Sequence, residues 1–476
     1  MRSRERNGSP FEAETWTALL WGAHSVQDRS SVRSLPLAGE GLRAGQCAWV
    51  GPNAVAPGLD WRAPWQRDTR VPYGRTPAGC TLHRYSAVPS TGGGFVLLSQ
   101  TPGLLRLGMQ LLPGGRRRWR YARSLLAGAT RLGMARLPAT SQVGILECER
   151  GSSNRRIADQ ALAGPIAAIA RGVDGAHCKL SILLAEHEDL PQRIVKVSLA
   201  PSSREQVRKE ARALGEVANA SPGAPLPRLL GTGDTGNGTY LVQERLRGKR
   251  SPDRIQAQHI DFLTWTAGQE KSRVPIGLDP NFEQDAAYVL RRTGAQSSRW
   301  ARNLRALTVA LRATLGDAPL PRCRAHGDFT PWNLVVAERG ILAFDWEYSS
   351  PRLYALHDLL HFVTQTGVLV HRESPREILE QAENLFDGIA RPLVEQAERR
   401  SRGVLTPWAA FGLYLLHAAV QSARRTEIER PSFEQVEWLE NAHLTLARQV
   451  AERLVAAKHI AATSSAMRRG HKGFAA

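Results

Sequence analysis

Three polar residues in the middle of this 476-residue chain have the types and the spacing that phosphoryl transfer requires. Asp328 is followed five residues later by Asn333, and Asp345 comes after a short apolar run. The first carboxylate can orient or deprotonate an attacking hydroxyl, while an amide oxygen and a second carboxylate can hold Mg²⁺ against phosphate groups. The pattern therefore favours a phosphoryl-transfer centre that uses a bound magnesium ion.

Two apolar runs, at residues 334–336 and 341–344, predict short strands joined by a hairpin on either side of these polar residues. Such strands would carry Asn333 and Asp345 rigidly.

The motif H-G-D-x-x-x-x-N at 326–333, followed by F-D-W-E at 344–347, resembles the aminoglycoside phosphotransferase and choline kinase family, within the protein-kinase-like fold. The resemblance covers about residues 155–450. Gly327 stands where protein kinases carry arginine, which argues against a protein kinase.

The resemblance implies that Asp328 is the catalytic base, that Asn333 and Asp345 bind magnesium, and that His326 braces the loop. The role of Glu347 stays open between a metal contact and a solvated surface residue.

A lysine inside a β-branched strand is the candidate for holding nucleotide phosphates. Period-two alternation puts Ile194 and Lys196 on one face of the strand at 193–199. In the helix that follows, Glu210 borders the apolar stripe, whereas Glu216 falls on the outer face. We therefore expect Lys196 and Glu210 to pair, in a partly wet setting, next to the α/β-phosphates.

Two further segments complete the predicted nucleotide site. Gly172 and Gly175 lie between two predicted strands, where this fold covers the phosphates, although an ordinary hairpin turn looks the same. Residues 243–246, with Glu244 and Leu246, match the hinge of the family, whose backbone would meet the adenine.

His357 and His361 lie at i and i+4 on one predicted helix face, as in zinc motifs of the H-E-x-x-H type. The acid between them is Asp358 rather than glutamate, and no third ligand is evident. In the resembled family this segment carries an aspartate that supports the catalytic loop, and we assign that role to Asp358.

The elements around these residues predict an α+β, bilobal protein-kinase-like fold with a small antiparallel β lobe, a large helical lobe and an N-terminal extension. We expect strands at 94–99, 166–170, 179–185, 193–199 and 239–243, a capping box at Ser374–Glu377, and a last long helix that starts near Ser432. The predicted segments are a basic, Gly/Pro/Trp-rich region of unknown fold at 1–150, an N-lobe at 151–248, a helical C-lobe at 249–462 and a disordered tail at 463–476.

The charge is strongly positive and concentrated near the N-terminus. The net charge is +19, and residues 1–150 hold 20 arginines and no lysine against 9 acidic residues. An anionic surface or glycan is one partner that this region would suit, and a solvated arginine-rich surface is the alternative; nothing firm indicates nucleic acid. A basic amphipathic helix at 116–137 would rest on a bilayer or pack against the neighbouring lobe.

The remaining composition places the chain among cytoplasmic proteins, with peripheral membrane association left open. The chain has no run of 18 apolar residues, and its five cysteines are scattered.

Together these features predict an ATP- and Mg-dependent enzyme that phosphorylates a hydroxyl group of a small molecule such as a sugar, glycan, amino-alcohol or antibiotic-like acceptor. The alternative is a catalytically weak kinase-like module that binds a nucleotide or a partner through its basic N-terminal region.

Overall fold

The computed structural model describes most of the chain as two compact units. The described residues are 47–50, 80–89, 95–111, 128, 141–148, 164–171, 178–186, 191–198, 200–235, 238–293, 299–429 and 434–472. The first unit comprises the described residues up to Asn219 together with Pro227–Arg245, and the second comprises Ala220–Leu226 together with the described residues from Leu246 onward.

The first unit is built on one antiparallel sheet, which has nine strands in the described residues. Their order across the sheet is β1-β4-β2-β3-β5-β6-β7-β9-β8. The strands are β1 (Cys47–Val50), β2 (Cys80–Pro89), β3 (Phe95–Ser99), β4 (Ser141–Cys148), β5 (Ile166–Arg171), β6 (Lys179–Leu184), β7 (Arg193–Ser198), β8 (Leu229–Thr235) and β9 (Gly238–Glu244).

The N-terminal region contributes four of these strands to the same sheet as the predicted lobe strands. Strand β3 confirms the strand expected at 94–99, and it pairs antiparallel with β5 from Phe95 opposite Arg171 to Leu98 opposite Ala168. Strands β1, β2 and β4 were not predicted. Their sequences show little regular alternation, and pairing with one another and with β3 stabilises them instead.

A short helix, α1 (Pro102–Gly108), packs on the face of this sheet. Its Leu105 joins Leu98, Ala168 and Leu183 in one buried apolar cluster. Gly108 permits this close approach, because a Cβ atom at that position would lie 2.5 Å from the carbonyl oxygen of Ala167. The N-terminal region and the strands β5 and β6 therefore share one core.

Helix α2 (Pro201–Ala220) follows β7 in the first unit. Its buried stripe recurs at helical spacing through Val207, Ala211 and Leu214, as the sequence predicted, and it continues to Val217. Glu210 lies within the buried face, whereas Glu216 is exposed.

The second unit is mainly helical. Its helices are α3 (Ala257–Gly268), α4 (Pro280–Thr293), α5 (Arg299–Leu315), α6 (His357–Thr366), α7 (Pro375–Asp387), α8 (Arg391–Ser401), α9 (Pro407–Glu429) and α10 (Glu434–Lys472). Its strands, in the order of the chain, are β10 (Lys249–Arg250), β11 (Glu270–Pro275), β12 (Pro319–Ala325), β13 (Leu334–Ala337), β14 (Gly340–Ala343) and β15 (Ser350–Tyr354). The predicted α+β class, with antiparallel strands first and helices after them, is confirmed.

A buried polar network fixes β12, the strand that leads to the predicted catalytic loop. The Asp279 carboxylate accepts a hydrogen bond from Arg322 Nε at 2.8 Å and another from the Tyr354 hydroxyl. It also accepts from the backbone N–H of Asn281 at 2.8 Å, at the start of α4. The network ties β12 to β15 and to the first turn of α4.

Helix boundaries agree with the sequence at one terminus and differ at another. Ser374 and Glu377 form the predicted capping box, with bonds of 2.7 and 3.3 Å. Helix α10 begins at Glu434, close to the predicted start. It continues to Lys472, so the prediction of a disordered tail is wrong for residues 463–472. The segment continues a helix that already packs on α5 and α9, and extending a formed helix avoids the cost of nucleating a new one.

Two predictions fall outside the described residues: the helix at 116–137, of which only Gly128 is described, and the glycine turn at 172–177. Within the part of the chain that the structure describes, no helix is long and apolar enough to cross a membrane.

Candidate active site

The predicted catalytic loop connects β12 to β13 in the second unit and is anchored at both ends. A single 3₁₀ turn, Pro331–Asn333, ends the loop, and Pro331 at its first position suits the fixed proline φ. The backbone N–H of Phe344 then donates to the carbonyl of Asn333 at 3.0 Å, which extends the β13–β14 ladder. Asn333 is thereby held beside the end of β14, where Asp345 follows.

Each carboxylate oxygen of Asp328 has a hydrogen-bond partner from a different element. Asn333 Nδ2 donates to Asp328 Oδ2 at 2.8 Å and also to the Asp328 carbonyl at 3.0 Å. His361 Nε2, on α6, lies 3.0 Å from Oδ1. The structure thus brings together Asp328 and Asn333, which the sequence predicted as neighbours, and adds a histidine that the sequence did not assign to the site.

His326 braces the loop through both ring nitrogens. Its Nε2 lies 2.8 Å from the carbonyl oxygen of Phe344, and its Nδ1 accepts from the backbone N–H of Asp328 at 3.2 Å. Because a carbonyl can only accept and an N–H can only donate, these partners select the tautomer with the proton on Nε2. The ring is fully buried and lies edge-on to Trp346, with centroids 4.8 Å apart.

Asp358 holds the backbone of the same loop, in the position predicted for it. Its carboxylate accepts from the N–H of His326 at 2.7 Å and from the N–H of Gly327 at 2.9 Å. Burial raises the pKa of Asp358 above its ordinary value, although the electrostatic influence of His326 and these two N–H bonds oppose the rise.

Gly327 adopts a φ of +81°, and a Cβ atom there would collide with the carbonyl oxygen of Tyr348. A residue with a side chain cannot replace Gly327 without moving the backbone of the loop.

The pKa of Asp328 results from opposing influences. Burial raises it, but the hydrogen bond from His361 and the electrostatic influence of His361 and His326 lower it more, so that the pKa lies below the ordinary aspartate value. The nearby charge of Asp345 acts in the opposite direction and raises it. The carboxylate is therefore favoured at neutral pH.

The candidate metal ligands are oxygen donors. Carboxylate oxygens of Asp345 and Glu347 come within 4.8 Å of each other, and the backbone of Asn333 is bonded to Phe344, the residue before Asp345. Asp345 has a φ of +68°, a left-handed conformation that aspartate and asparagine tolerate better than most residues. A set of carboxylates and an amide fits Mg²⁺, which prefers hard oxygen ligands and keeps several waters.

In the first unit, Lys196 and Glu210 form the predicted pair. Lys196 Nζ lies 2.6 and 2.7 Å from the two Glu210 carboxylate oxygens. The side chains are 8% and 0% exposed, so the expectation of a partly wet pair is wrong. The pair is buried because α2 packs closely within the first unit. The spacing of apolar residues along a helix predicts which face is buried but not how deeply it is buried.

Of the other residues predicted to contact the nucleotide, those that the structure describes lie at or near the ends of β7 and β9. Ile194 is half-buried at the margin of the cluster that α1 and β3 form with β5 and β6. Glu244 ends β9 and pairs with Arg228 at 3.2 Å, and the half-buried Leu246 follows at the start of the second unit. Gly172 and Gly175 lie outside the described residues.

His361 is the residue that sequence reasoning missed as a site component. Its signal was visible, since it lies three residues after Asp358 on one helix face. The pattern was instead compared with zinc motifs, and the metal-type ligand cluster found in the described residues does not include His357 or His361.

Known structures resemble this chain at low sequence identity. No curated protein matches the chain. Among solved structures, an aminoglycoside phosphotransferase, APH(4)-Ia, crystallised as a ternary complex with ADP and hygromycin B, is 14% identical, with a TM-score of 0.40 over 62% of this chain and 98% of that one. A choline/ethanolamine kinase family protein from Mesorhizobium loti is 15% identical, with a TM-score of 0.38 over 60% of this chain and 94% of that one.

A family model gives the match that covers the site. It is described as the phosphotransferase enzyme family, and it spans residues 183–394, from β6 through the catalytic loop to α8. Residues 183–394 thus match the phosphotransferase enzyme family, which confirms the resemblance predicted from the catalytic loop.

Proposed function

We propose that this chain is an ATP- and Mg-dependent phosphotransferase that acts on a hydroxyl group of a small molecule. The observation that carries the proposal is the Asp328 carboxylate, fixed at Oδ2 by Asn333 and set in a loop whose backbone Asp358 and His326 hold. A carboxylate held in this way, with further oxygen ligands beside it, has the parts that phosphoryl transfer requires.

Asp328 would act as the base. Its lowered pKa keeps it ionised at neutral pH, so it can orient the acceptor hydroxyl and accept its proton. The Asn333 amide donates its N–H groups to Asp328, which leaves its oxygen to face a cation.

Asn333 and Asp345, with Glu347 as a further candidate, would hold magnesium, which when bound neutralises charge on the phosphates. The ammonium of Lys196, kept in place by Glu210, is the group we assign to the α/β-phosphates.

The net positive charge of the chain bears on which class of acceptor it would bind. Polycationic acceptors need acidic surroundings, whereas this chain is basic overall. We therefore favour a sugar, glycan or other hydroxyl compound of low positive charge over a polyamine-like antibiotic.

The test is ATP turnover with Mg²⁺, measured against a panel of hydroxyl compounds, for the intact protein and for Asp328→Asn. We expect at least one compound to raise ATP consumption, and Asp328→Asn to lower the rate about 100-fold or more, since general-base catalysis contributes about 10²–10⁴. Equal rates in the two proteins would remove the assignment. Nucleotide binding without turnover would instead support the catalytically weak module.

A further inference from the structure

We propose that His361 is a positioning residue for the base: its ring N–H holds Oδ1 of Asp328 while Asn333 holds Oδ2, so that the carboxylate keeps one orientation toward the acceptor hydroxyl. This inference rests on the proposed function and adds a residue that the catalytic-loop motif does not contain.

The two donors reach Asp328 from independent directions. Asn333 belongs to the loop itself, five residues along the chain, whereas His361 belongs to α6, 33 residues away. A terminal carboxylate has a broad torsional profile and rotates easily when one oxygen alone is held. One N–H on each oxygen fixes the plane of the group and leaves lone pairs of both oxygens in defined directions.

Helix α6 contacts the catalytic loop in two places, at the loop backbone and at the Asp328 side chain. Asp358 accepts from the N–H groups of His326 and Gly327, and His361, one turn further along the helix, contacts the Asp328 side chain. Movement of Asp328 relative to the loop backbone is thus limited by the same rigid helix that holds that backbone. The arrangement places the positioning group on a regular element rather than on a loop.

The His361 ring is itself packed on two sides. It lies nearly parallel to the ring of His357, with centroids 6.5 Å apart and an interplanar angle of 9°. The ring of Tyr414 meets it edge-on at 5.9 Å. Its side chain is only 13% exposed, which restricts the ring to few orientations. A donor restrained in this way can restrain Asp328 in turn.

The competing explanation is that His361 is a core histidine whose contact with Asp328 is incidental. The two explanations differ in what a substitution changes. An incidental contact predicts a loss of stability with turnover per folded molecule preserved, whereas a positioning role predicts a loss of kcat with nucleotide binding preserved. Misplacement of a catalytic group by about 1 Å can cost about 100-fold.

The experiment compares His361→Gln with His361→Asn by Mg-ATP hydrolysis, with water as the acceptor. Both substitutions are polar, but the longer glutamine amide can reach where Nε2 lies and the shorter asparagine amide cannot. We expect kcat to fall about 100-fold in His361→Asn and less than about 10-fold in His361→Gln, with KM for ATP within about twofold in both. Equal kcat values for the two variants would overturn the proposal.

Two controls distinguish a positioning role of His361 from a general effect of altering a buried histidine. His443→Phe alters another buried histidine, which packs on Tyr414 from α10, and we expect its kcat to stay within about threefold of the wild type. In an Asp328→Asn background, His361→Asn should lower the residual rate less than about twofold, because the group that it positions is gone. A further 100-fold loss there would overturn the positioning role.

The same measurements also distinguish this inference from the proposed function. Absence of Mg-ATP turnover in the wild type, both with water and with every compound of the acceptor panel, would overturn both. Turnover that Asp328→Asn lowers about 100-fold or more and His361→Asn leaves intact would overturn only the role of His361.

Discussion

The ammonium of Lys196 sits between both carboxylate oxygens of Glu210, at 2.6 and 2.7 Å, with neither side chain more than 8% exposed. The lysine comes from β7 and the glutamate from the buried stripe of α2. Because the pair is removed from water, each charge depends on the other for its compensation. This pair is therefore at once a candidate phosphate-binding group and a component of the core of the first unit.

Breaking this pair should lower stability as well as activity. Lys196→Met leaves a buried carboxylate unpaired, and we expect it to lower the free energy of unfolding by about 3–5 kcal/mol and to abolish measurable ATP turnover. Glu210→Gln keeps an acceptor oxygen for the ammonium, so its effects on stability and on ATP affinity should be smaller. Urea unfolding and ATP titration of both variants check these expectations.

The exposed Glu216, on the outer face of the same helix, provides the control. Glu216→Gln should change the free energy of unfolding by no more than about 0.5 kcal/mol. The double variant Lys196→Met/Glu210→Met should be more stable than the sum of the single effects predicts, because it leaves no unpaired charge. Additive losses would contradict the buried-pair account.

Gly327 and Gly403 offer a matched comparison of steric effects, with φ values of +81° and +80°. A Cβ at Gly327 would collide with the Tyr348 backbone, whereas one at Gly403 has nothing within 4 Å. Gly403→Ala should therefore show only the backbone strain, about 1–2 kcal/mol. Gly327→Ala should cost about 3 kcal/mol or more and reduce kcat, because the loop must shift. Similar unfolding free energies for the two variants would show that the loop yields without cost.

Asp345 should be needed for magnesium rather than for folding. Asp345→Asn is the informative variant, since asparagine tolerates the φ of +68° that alanine would adopt only with strain. We expect kcat to fall about 100-fold or more and the Mg²⁺ concentration for half-maximal rate to rise, with stability changed by about 1 kcal/mol at most. A variant that keeps near-normal turnover at limiting Mg²⁺ would exclude Asp345 as a ligand.

Buried histidines should make the protein less stable as the pH falls below neutral. Burial lowers the pKa of His443 to about 4, with the charge of His361 as a smaller cause. The unfolded chain binds a proton near pH 6.5 and the folded protein does not, so the stability present above pH 6.5 is lost as the pH falls toward 4, at about 1.4 kcal/mol per pH unit.

His443→Phe removes this contribution. Urea unfolding at pH 7 and pH 5 should show the wild type losing about 2 kcal/mol more than the variant over that interval, since His259 and His357 titrate alike in both. In the described residues neither ring nitrogen of His443 has a hydrogen-bond partner, so the variant leaves no donor or acceptor stranded. Equal losses in the two proteins would mean that His443 titrates normally in the fold.

The sequence was sufficient for elements whose signals are local. The apolar runs around Asn333 and Asp345 predicted the strands β13 and β14, and the serine–glutamate spacing predicted the capping box at Ser374. The helical phase of α2 correctly paired Lys196 with Glu210. Each of these depends on residues within a few turns of one another or on one face of one helix.

The features that the sequence missed depend on packing between distant segments. The contact of His361 with Asp328 exists because α6 docks under a loop 33 residues earlier, and no spacing rule encodes that docking. The burial of Lys196 likewise depends on how deeply α2 sits. Strands β1, β2 and β4 form through pairing across dozens of residues, which weak local alternation could not reveal.

The sheet of the first unit also bears on how the polypeptide can be divided. The family match begins at residue 183, inside β6, yet β6 pairs on one side with β5, which in turn pairs with β3. A recombinant fragment that starts at residue 183 would leave backbone N–H and C=O groups unpaired along an exposed sheet edge. It would also remove the apolar neighbours of Leu183. An exposed edge strand can pair with a strand of another chain, so we expect the fragment to self-associate. In the intact chain the N-terminal strands cover this edge and prevent such pairing.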